Sequence, residues 1–398
     1  MAKYSFFLFV ILLLKIVHAI QSEFYSNDTT FEQINTTRIT NTEGTLLDIL
    51  DISEKPKLNA EPSILNTSAS LYMEELYHFA VYSRPTKHFN IEQHRRTIEE
   101  SDIVITFLIE DDDNMMDEKR DHGKNLSFNA SKVHVDNIIL KAQLRLYKEN
   151  TNHSGNITVS LHQIYSDNNG EKTKSSVDEL NVFHSYEGWL TFNITEVFAI
   201  WVVFSSLNRE LYVSVRELHN SDRKIRPESV GIIFTSSTCK KNNNRQPFVT
   251  AFVKYGAKKS NSIIRRRRSS NTELPITTID PNSNVFLPTR SESESSCQKQ
   301  FLYVNFTDFN WNDWIIAPDG FFAYHCSGSC DYPLNPYVNL TNHSVVQSLV
   351  HLLNPKDAPK LCCTPSALRS LPILYFADNV SVQLSRYENM IVTDCGCF

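Results

Sequence analysis

The 398-residue chain predicts two folded parts built on different physics: an α+β, mainly β domain with N-terminal helices, followed by a small disulfide-rich domain. Three observations carry this. Seven of the eight cysteines fall after residue 296, several segments between residues 140 and 252 alternate apolar and polar residues, and two apolar stripes at helical spacing precede them. A chain of this length supports two cores, whereas about a hundred residues dense in sulfur rely on cross-links.

The elements follow in order. Lys3, the apolar run Phe6 to Leu14 and Val17-His18-Ala19 have the layout of a secretory signal, with cleavage expected after Ala19. The run is too short to span a bilayer, and no later stretch reaches 18 apolar residues. Secretion is therefore expected, with no transmembrane segment. Twelve Asn-x-Ser/Thr sequons agree as candidate glycosylation sites: Asn27, Asn35, Asn66, Asn125, Asn129, Asn152, Asn156, Asn193, Asn305, Asn339, Asn342 and Asn379.

Leu46, Leu47, Ile49, Leu50 and Ile52 form one helical stripe, and Leu71, Leu76, Phe79 and Ala80 a second. Ala142-Leu144-Leu146, Ile157-Val159-Leu161, Leu211-Val213-Val215 and Phe248-Thr250-Phe252 have the period of half-buried strands. Arg265-Arg266-Arg267-Arg268 then marks a boundary. In a secreted chain with a net charge of -6 it is expected to be a proprotein-convertase site rather than a nucleic-acid tail. Arg223-Lys224-Ile225-Arg226 has similar spacing, but Pro227 restricts the extended pose that a second cut there needs.

The resulting boundaries are a signal at 1–19, a propeptide at 20–268, a flexible tail at 269–296 and a folded domain at 297–398. The released product holds six Lys and Arg against twelve Asp and Glu, which argues against nucleic-acid or strong heparin binding. Cys239 stands alone in the front part. It is expected to be a buried thiol or a link between two propeptides.

Cys326-Ser327-Gly328-Ser329-Cys330 and Cys395-Gly396-Cys397 close an eight-residue ring if Cys326 joins Cys395 and Cys330 joins Cys397. A third bridge from Cys297 to Cys363 would thread it, with Gly328 and Gly396 giving it room. Cysteine count alone does not select this pairing, and a four-sulfur zinc site is the other use of such a cluster.

Residues 297–398 resemble a transforming growth factor-β family ligand of the bone morphogenetic protein branch. The resemblance rests on the cysteine spacing, Asn312-Asp313-Trp314-Ile315-Ile316-Ala317-Pro318, Thr341-Asn342-His343 before an apolar helix, Leu374-Tyr375-Phe376 and Cys395-Gly396-Cys397. Upstream, Leu71 to Tyr77, Tyr186-Glu187-Gly188-Trp189 and Gln246-Pro247-Phe248 resemble the family's latency-type prodomain. The ligand part is similar to the osteogenic-protein and glass-bottom-boat group. The short precursor, with a mature product poor in basic residues, also resembles the insect Screw ligands.

This resemblance implies a cystine-knot growth factor with two β-hairpin fingers and one helix. It makes Cys297, Cys363, Cys326, Cys395, Cys330 and Cys397 the knot and Cys362 the interchain cysteine. The helix, apolar at Val345, Val346, Leu349, Val350, Leu352 and Leu353, would meet the fingers of a second subunit. A wrist site for type I receptors is implied at Trp311, Trp314 and Pro333 to Leu349, including Val345, Val346 and Leu349. A knuckle site for type II receptors is implied at Ala317, Pro318, Pro372, Leu374 and Leu384, read as an exposed apolar patch on a finger.

The implied function is that of a secreted dimer that joins type I and type II serine/threonine-kinase receptors to activate Smad signalling, in embryonic patterning such as the dorsoventral axis. Its implied partners are a second subunit, the two receptors, extracellular antagonists and its own prodomain. The second subunit is either an identical chain or another bone morphogenetic protein, and a cystine-knot antagonist is the alternative from another class. No enzyme activity, metal or cofactor is expected, because His325, His343 and His351 lack a nucleophile or carboxylate arrangement. Three features depart from the family. Pro372 stands where relatives often have a small hydroxyl residue, Asn379 adds a sequon in a finger turn, and the acidic tail lacks a basic cluster.

Overall fold

A computed structural model describes residues 46–50, 52, 55–58, 67–109, 122–151, 155–166, 172–204, 210–218, 224–234, 243–256, 296–334 and 338–398. The signal, the tetrabasic run, Cys239, most of the tail and the sequons Asn27, Asn35, Asn66 and Asn152 lie outside the described residues. The chain divides into two units, one of Met1–Lys55 with Asp308–Asn310 and one of Pro56–Thr307 with Trp311–Phe398. In the first, the early stripe is one helical turn at residues 46–49, shorter than its spacing suggests.

The second unit begins with helix α1, Ser68–Tyr82. Thr67 caps it: its hydroxyl accepts from the Ser70 N–H at 3.3 Å, and the Ser70 hydroxyl accepts from the Thr67 N–H at 3.0 Å. Ser83 ends it in the left-handed conformation, with φ 51°. The short helix α2, Arg95–Glu100, leads into strand β1, Ile103–Leu108. Then come β2 Lys124–Ser127, β3 Ile138–Lys148, β4 Ile157–Ser166, β5 Lys172–Val182, β6 Gly188–Asn193, helix α3 Thr195–Val203, β7 Glu210–Glu217, β8 Lys224–Ile225 and β9 Phe248–Lys254. Lys224 and Ile225 pair with Arg216 and Val215 as a sheet edge, so this second basic stretch is part of the fold.

Beyond residue 296 the strands are β10 Gln298–Gln300, β11 Tyr303–Asn305, β12 Ile315–Ala317, β13 Gly320–Phe322, β14 His325–Ser327 and β15 Asn339–Leu340. Helix α4, Asn342–Leu353, precedes the long hairpin β16 Cys363–Phe376 and β17 Ser381–Cys397. β10 with β14 and β11 with β13 make one finger, and β16 with β17 make the other.

One sheet crosses both parts of the chain in the order β12-β16-β17-β1-β9-β3-β6, and a second contains β2-β7-β4-β5 with β8. Strand alternation sorts the side chains of the central strands into two cores. Ile105 and Phe107 of β1, with Val249, Ala251 and Val253 of β9, pack against the second sheet and Trp201 of α3. Val104, Leu108, Phe248 and Phe252 face the other way, toward α1.

Candidate functional site

Three bridges join Cys297 to Cys363, Cys326 to Cys395 and Cys330 to Cys397, with Cα separations of 5.4, 5.7 and 5.8 Å. Cys297, Cys330 and Cys397 lie close enough together to suggest metal ligands, but each sulfur is already in a disulfide. Both ring glycines stand where a side chain would be strained, and the threading Cys297 sulfur lies 3.6 Å from the Gly396 carbonyl oxygen. Gly328 has φ +124°, and a Cβ on Gly396 would meet the Asn339 carbonyl oxygen at 2.7 Å and the Phe398 ring at 2.4 Å. Cys362 is exposed and unbridged, and its backbone pairs in both directions with Phe398 at 3.0 and 3.1 Å.

A row of paired residues runs across the fingers into the upstream part. Ala317 pairs with Leu374, Leu374 with Leu384, Leu384 with Val104, and Val104 with Phe252. Pro318 follows Ala317 through a cis peptide, and Pro372 pairs with Arg386 on the same hairpin. The five residues expected at the knuckle therefore lie on three adjacent strands and the turn beside them.

Leu374 and Leu384 are not the exposed patch that their position on a finger suggests: only 1% and 6% of their surface is open. The reason is α1, whose Met73, Leu76, Tyr77 and Phe79 share an apolar cluster with Val104, Leu374, Val382 and Leu384. Each such side chain gains roughly 1.5–3 kcal/mol from full burial. Burial raises the pKa of Tyr77, as do the neighbouring Tyr82 and then Asp319 of the first finger.

Polar contacts extend the seam. Thr106 Oγ1 donates to the Val382 carbonyl at 3.3 Å, and the Arg386 guanidinium to the Glu99 carbonyl at 3.0 Å. The Arg386 N–H donates to the Asp102 carbonyl at 2.9 Å, and Lys132 faces Asp378 at 3.6 Å beside the Asn379 turn. The sequence reading missed β1. Ile103–Leu108 is apolar at every position but Thr106 and lacks the period-two signature, because both of its faces are buried.

The expected wrist residues fall into two groups within one chain. Trp311 and Trp314 are fully buried, 5.2 Å apart between centroids, with Phe306 stacked on the first and Tyr375 edge-on to the second. On α4, Val345, Val346 and Leu349 are exposed, while Ser344 and Ser348 are buried. This helix turns its apolar side outward, the reverse of an ordinary surface helix. Leu352 and Leu353 continue the open face at 60% and 86% exposure.

His325 and His343 are exposed, and the His351 ring nitrogen contacts the Ala358 carbonyl at 2.9 Å. Apart from the half-cystines, no group of three or more metal-ligating side chains gathers among the described residues. None of the described helices is long and apolar enough to cross a membrane.

The sequence matches the TGF-beta propeptide family over residues 26–252 and the transforming growth factor beta like domain over residues 296–397. Protein 60A of Drosophila melanogaster is 37% identical over 330 residues, covering 78% of this chain and 70% of that protein. Protein 60A of Drosophila virilis is 35% identical over 312 residues, covering 76% and 71%. Bone morphogenetic protein 8A of Homo sapiens is 30% identical over 367 residues, covering 88% of each.

Proposed function

The chain belongs to the transforming growth factor-β family as a growth factor of the bone morphogenetic type, and from this we propose that it is a secreted precursor of a dimeric receptor ligand. The observation that carries the reading is the covered row Ala317–Leu374–Leu384, an apolar surface that the upstream domain buries and a receptor would need open. Residues 1–19 direct secretion, and a convertase cut after Arg268, at the end of the run Arg265 to Arg268, separates propeptide from ligand.

Two ligand chains join through Cys362. Each α4 lays Val346, Leu352 and Leu353 on its partner's fingers, where Phe301 and Tyr303 are exposed at 65% and 50%. The same step brings Val345, Val346 and Leu349 beside the partner's tryptophan finger to make the type I receptor site. Type II receptors take the row at Leu374 and Leu384 once α1 and β1 withdraw. The ligand performs no reaction: it brings two receptor kinases together, and they carry the phosphoryl transfer that activates Smad proteins.

The test expresses the chain alone and together with other bone morphogenetic proteins, resolves dimer composition by nonreducing mass spectrometry, and assays receptor-dependent Smad phosphorylation. A cleaved dimer that is inactive with every receptor combination would refute the agonist reading. Activity confined to mixed expression would make the working form a heterodimer.

A further inference from the structure

Sheet register places Asn156 between two exposed apolar side chains at one end of the second sheet. Ile157, the first residue of β4, pairs with Val182 of β5 on one side and with Glu217 of β7 on the other. One position further out, Asn156 is flanked by Phe183 and Leu218. Hydrogen bonds fix this end: the Leu218 N–H donates to the Asn156 carbonyl at 2.9 Å, and the His184 N–H to Asn156 Oδ1 at 3.2 Å.

Ile157 and Val182 point into the core between the sheets, so alternation turns Asn156 and Phe183 to the outer face. There Phe183 is 70% exposed and Leu218 is 41% exposed. Only Asn156 separates Phe183 from Leu218 across the sheet, so a group attached to its side chain reaches both.

Asn156-Ile157-Thr158 is also a sequon. The amide oxygen of Asn156 is engaged by His184, while its Nδ2 makes no hydrogen bond among the described residues. Asn339 differs, since its Nδ2 donates to Ser366 Oγ at 3.0 Å.

We propose that Asn156 carries an N-linked glycan whose first sugars lie over Phe183 and Leu218 and form the cover of this patch. N-acetylglucosamine suits the place, because its ring has an apolar C–H face for the phenyl group and a polar rim for water. Attachment uses a lipid-pyrophosphate-linked oligosaccharide as donor. The Asn156 Nδ2–C1 bond forms as the C1–O bond to pyrophosphate breaks, the pyrophosphate keeps the bonding pair, and the amide nitrogen releases a proton. The proposal shares with the ligand reading only passage through the secretory route.

The test maps glycopeptides of the secreted full precursor by mass spectrometry and follows binding of an anilinonaphthalene sulfonate dye. Asn156 is expected to be occupied. Asn156→Gln should lose one glycan and bind severalfold more dye, with Asn156→Gln/Phe183→Ser returning to the wild-type level. If Asn156→Gln is not secreted, a glycoamidase applied to the native wild-type protein should give the same rise in dye binding. An unmodified Asn156 beside other occupied sequons would overturn the site and leave the secreted-ligand reading standing. An occupied Asn156 whose glycan is removed without change in dye binding would overturn the cover. Absence of glycan at every sequon would overturn this proposal and the secretory route together.

Discussion

Val104 of the upstream domain pairs directly with Leu384 of the second finger, both of them buried, in the antiparallel seam between β1 and β17. The seam continues one sheet from the propeptide into the ligand while α1 closes over its apolar face. Backbone pairing fixes the register, and side-chain burial supplies most of the hold. Freeing the finger would have to break both.

Leu76 of α1 is fully buried against this row, and truncating it leaves a cavity without altering the ligand domain. Leu76→Ala should weaken the hold of a cleaved propeptide by about 2–5 kcal/mol, or roughly 30-fold or more. Binding of purified propeptide to mature dimer by surface plasmon resonance measures this. Unchanged affinity would show that the helix contributes little to retention.

Lys148 is 1% exposed, and its ammonium donates to the carbonyls of Glu149, His184 and Tyr186 at 3.1, 3.0 and 2.9 Å. It ties the β5–β6 connection to β3, immediately before Gly188 and Trp189. Burial lowers its pKa, while Glu187 opposes the shift. Lys148→Met removes the donors and strands three acceptors, which should cost about 2–4 kcal/mol. Urea unfolding of the propeptide domain would reveal the loss, and a midpoint equal to wild type would contradict it.

The parts legible in the sequence were those with a strong local signal. Period two marked β3, β4, β7 and β9, helical spacing marked α1, the two cysteine clusters marked the small domain, and α4 came with the family resemblance. Residues of β1 escaped because a strand buried on both faces has no alternation to read. Leu374 and Leu384 were recognised as apolar finger residues, but their burial depends on α1, some three hundred residues earlier in the chain. Such a contact leaves no mark in either segment alone. The outward apolar side of α4 was expected from the resemblance, which implies a flat subunit whose helix meets a second chain.

His94, at the start of α2, lies against the sheet, with its ring nitrogen 3.1 Å from Lys141 Nζ and its ring 6.2 Å from that of Phe252. Burial first, then the charges of Lys141 and Arg145, lower its pKa to about 4. The folded state thus prefers the neutral ring. Stability that is intact above the unfolded histidine value of roughly 6.5 should fall as pH drops from there toward 4, and this contribution levels off below that. His94→Gln should flatten the thermal midpoint across this window. A variant with the full wild-type pH dependence would place the effect elsewhere.

Cys362 and α4 act on the same proposed joint by different means, so removing the sulfur tests them separately. Cys362→Ser should abolish the covalent dimer on nonreducing gels and leave the three bridges of the knot, since none uses this residue. Leu353 is 86% exposed and Val346 58%, so burial of both faces in a symmetric pair supplies several kcal/mol without the disulfide. The single variant should therefore still sediment as a dimer at micromolar concentration, while Cys362→Ser/Val346→Glu should sediment as a monomer. A double variant that remains dimeric would remove α4 from the interface.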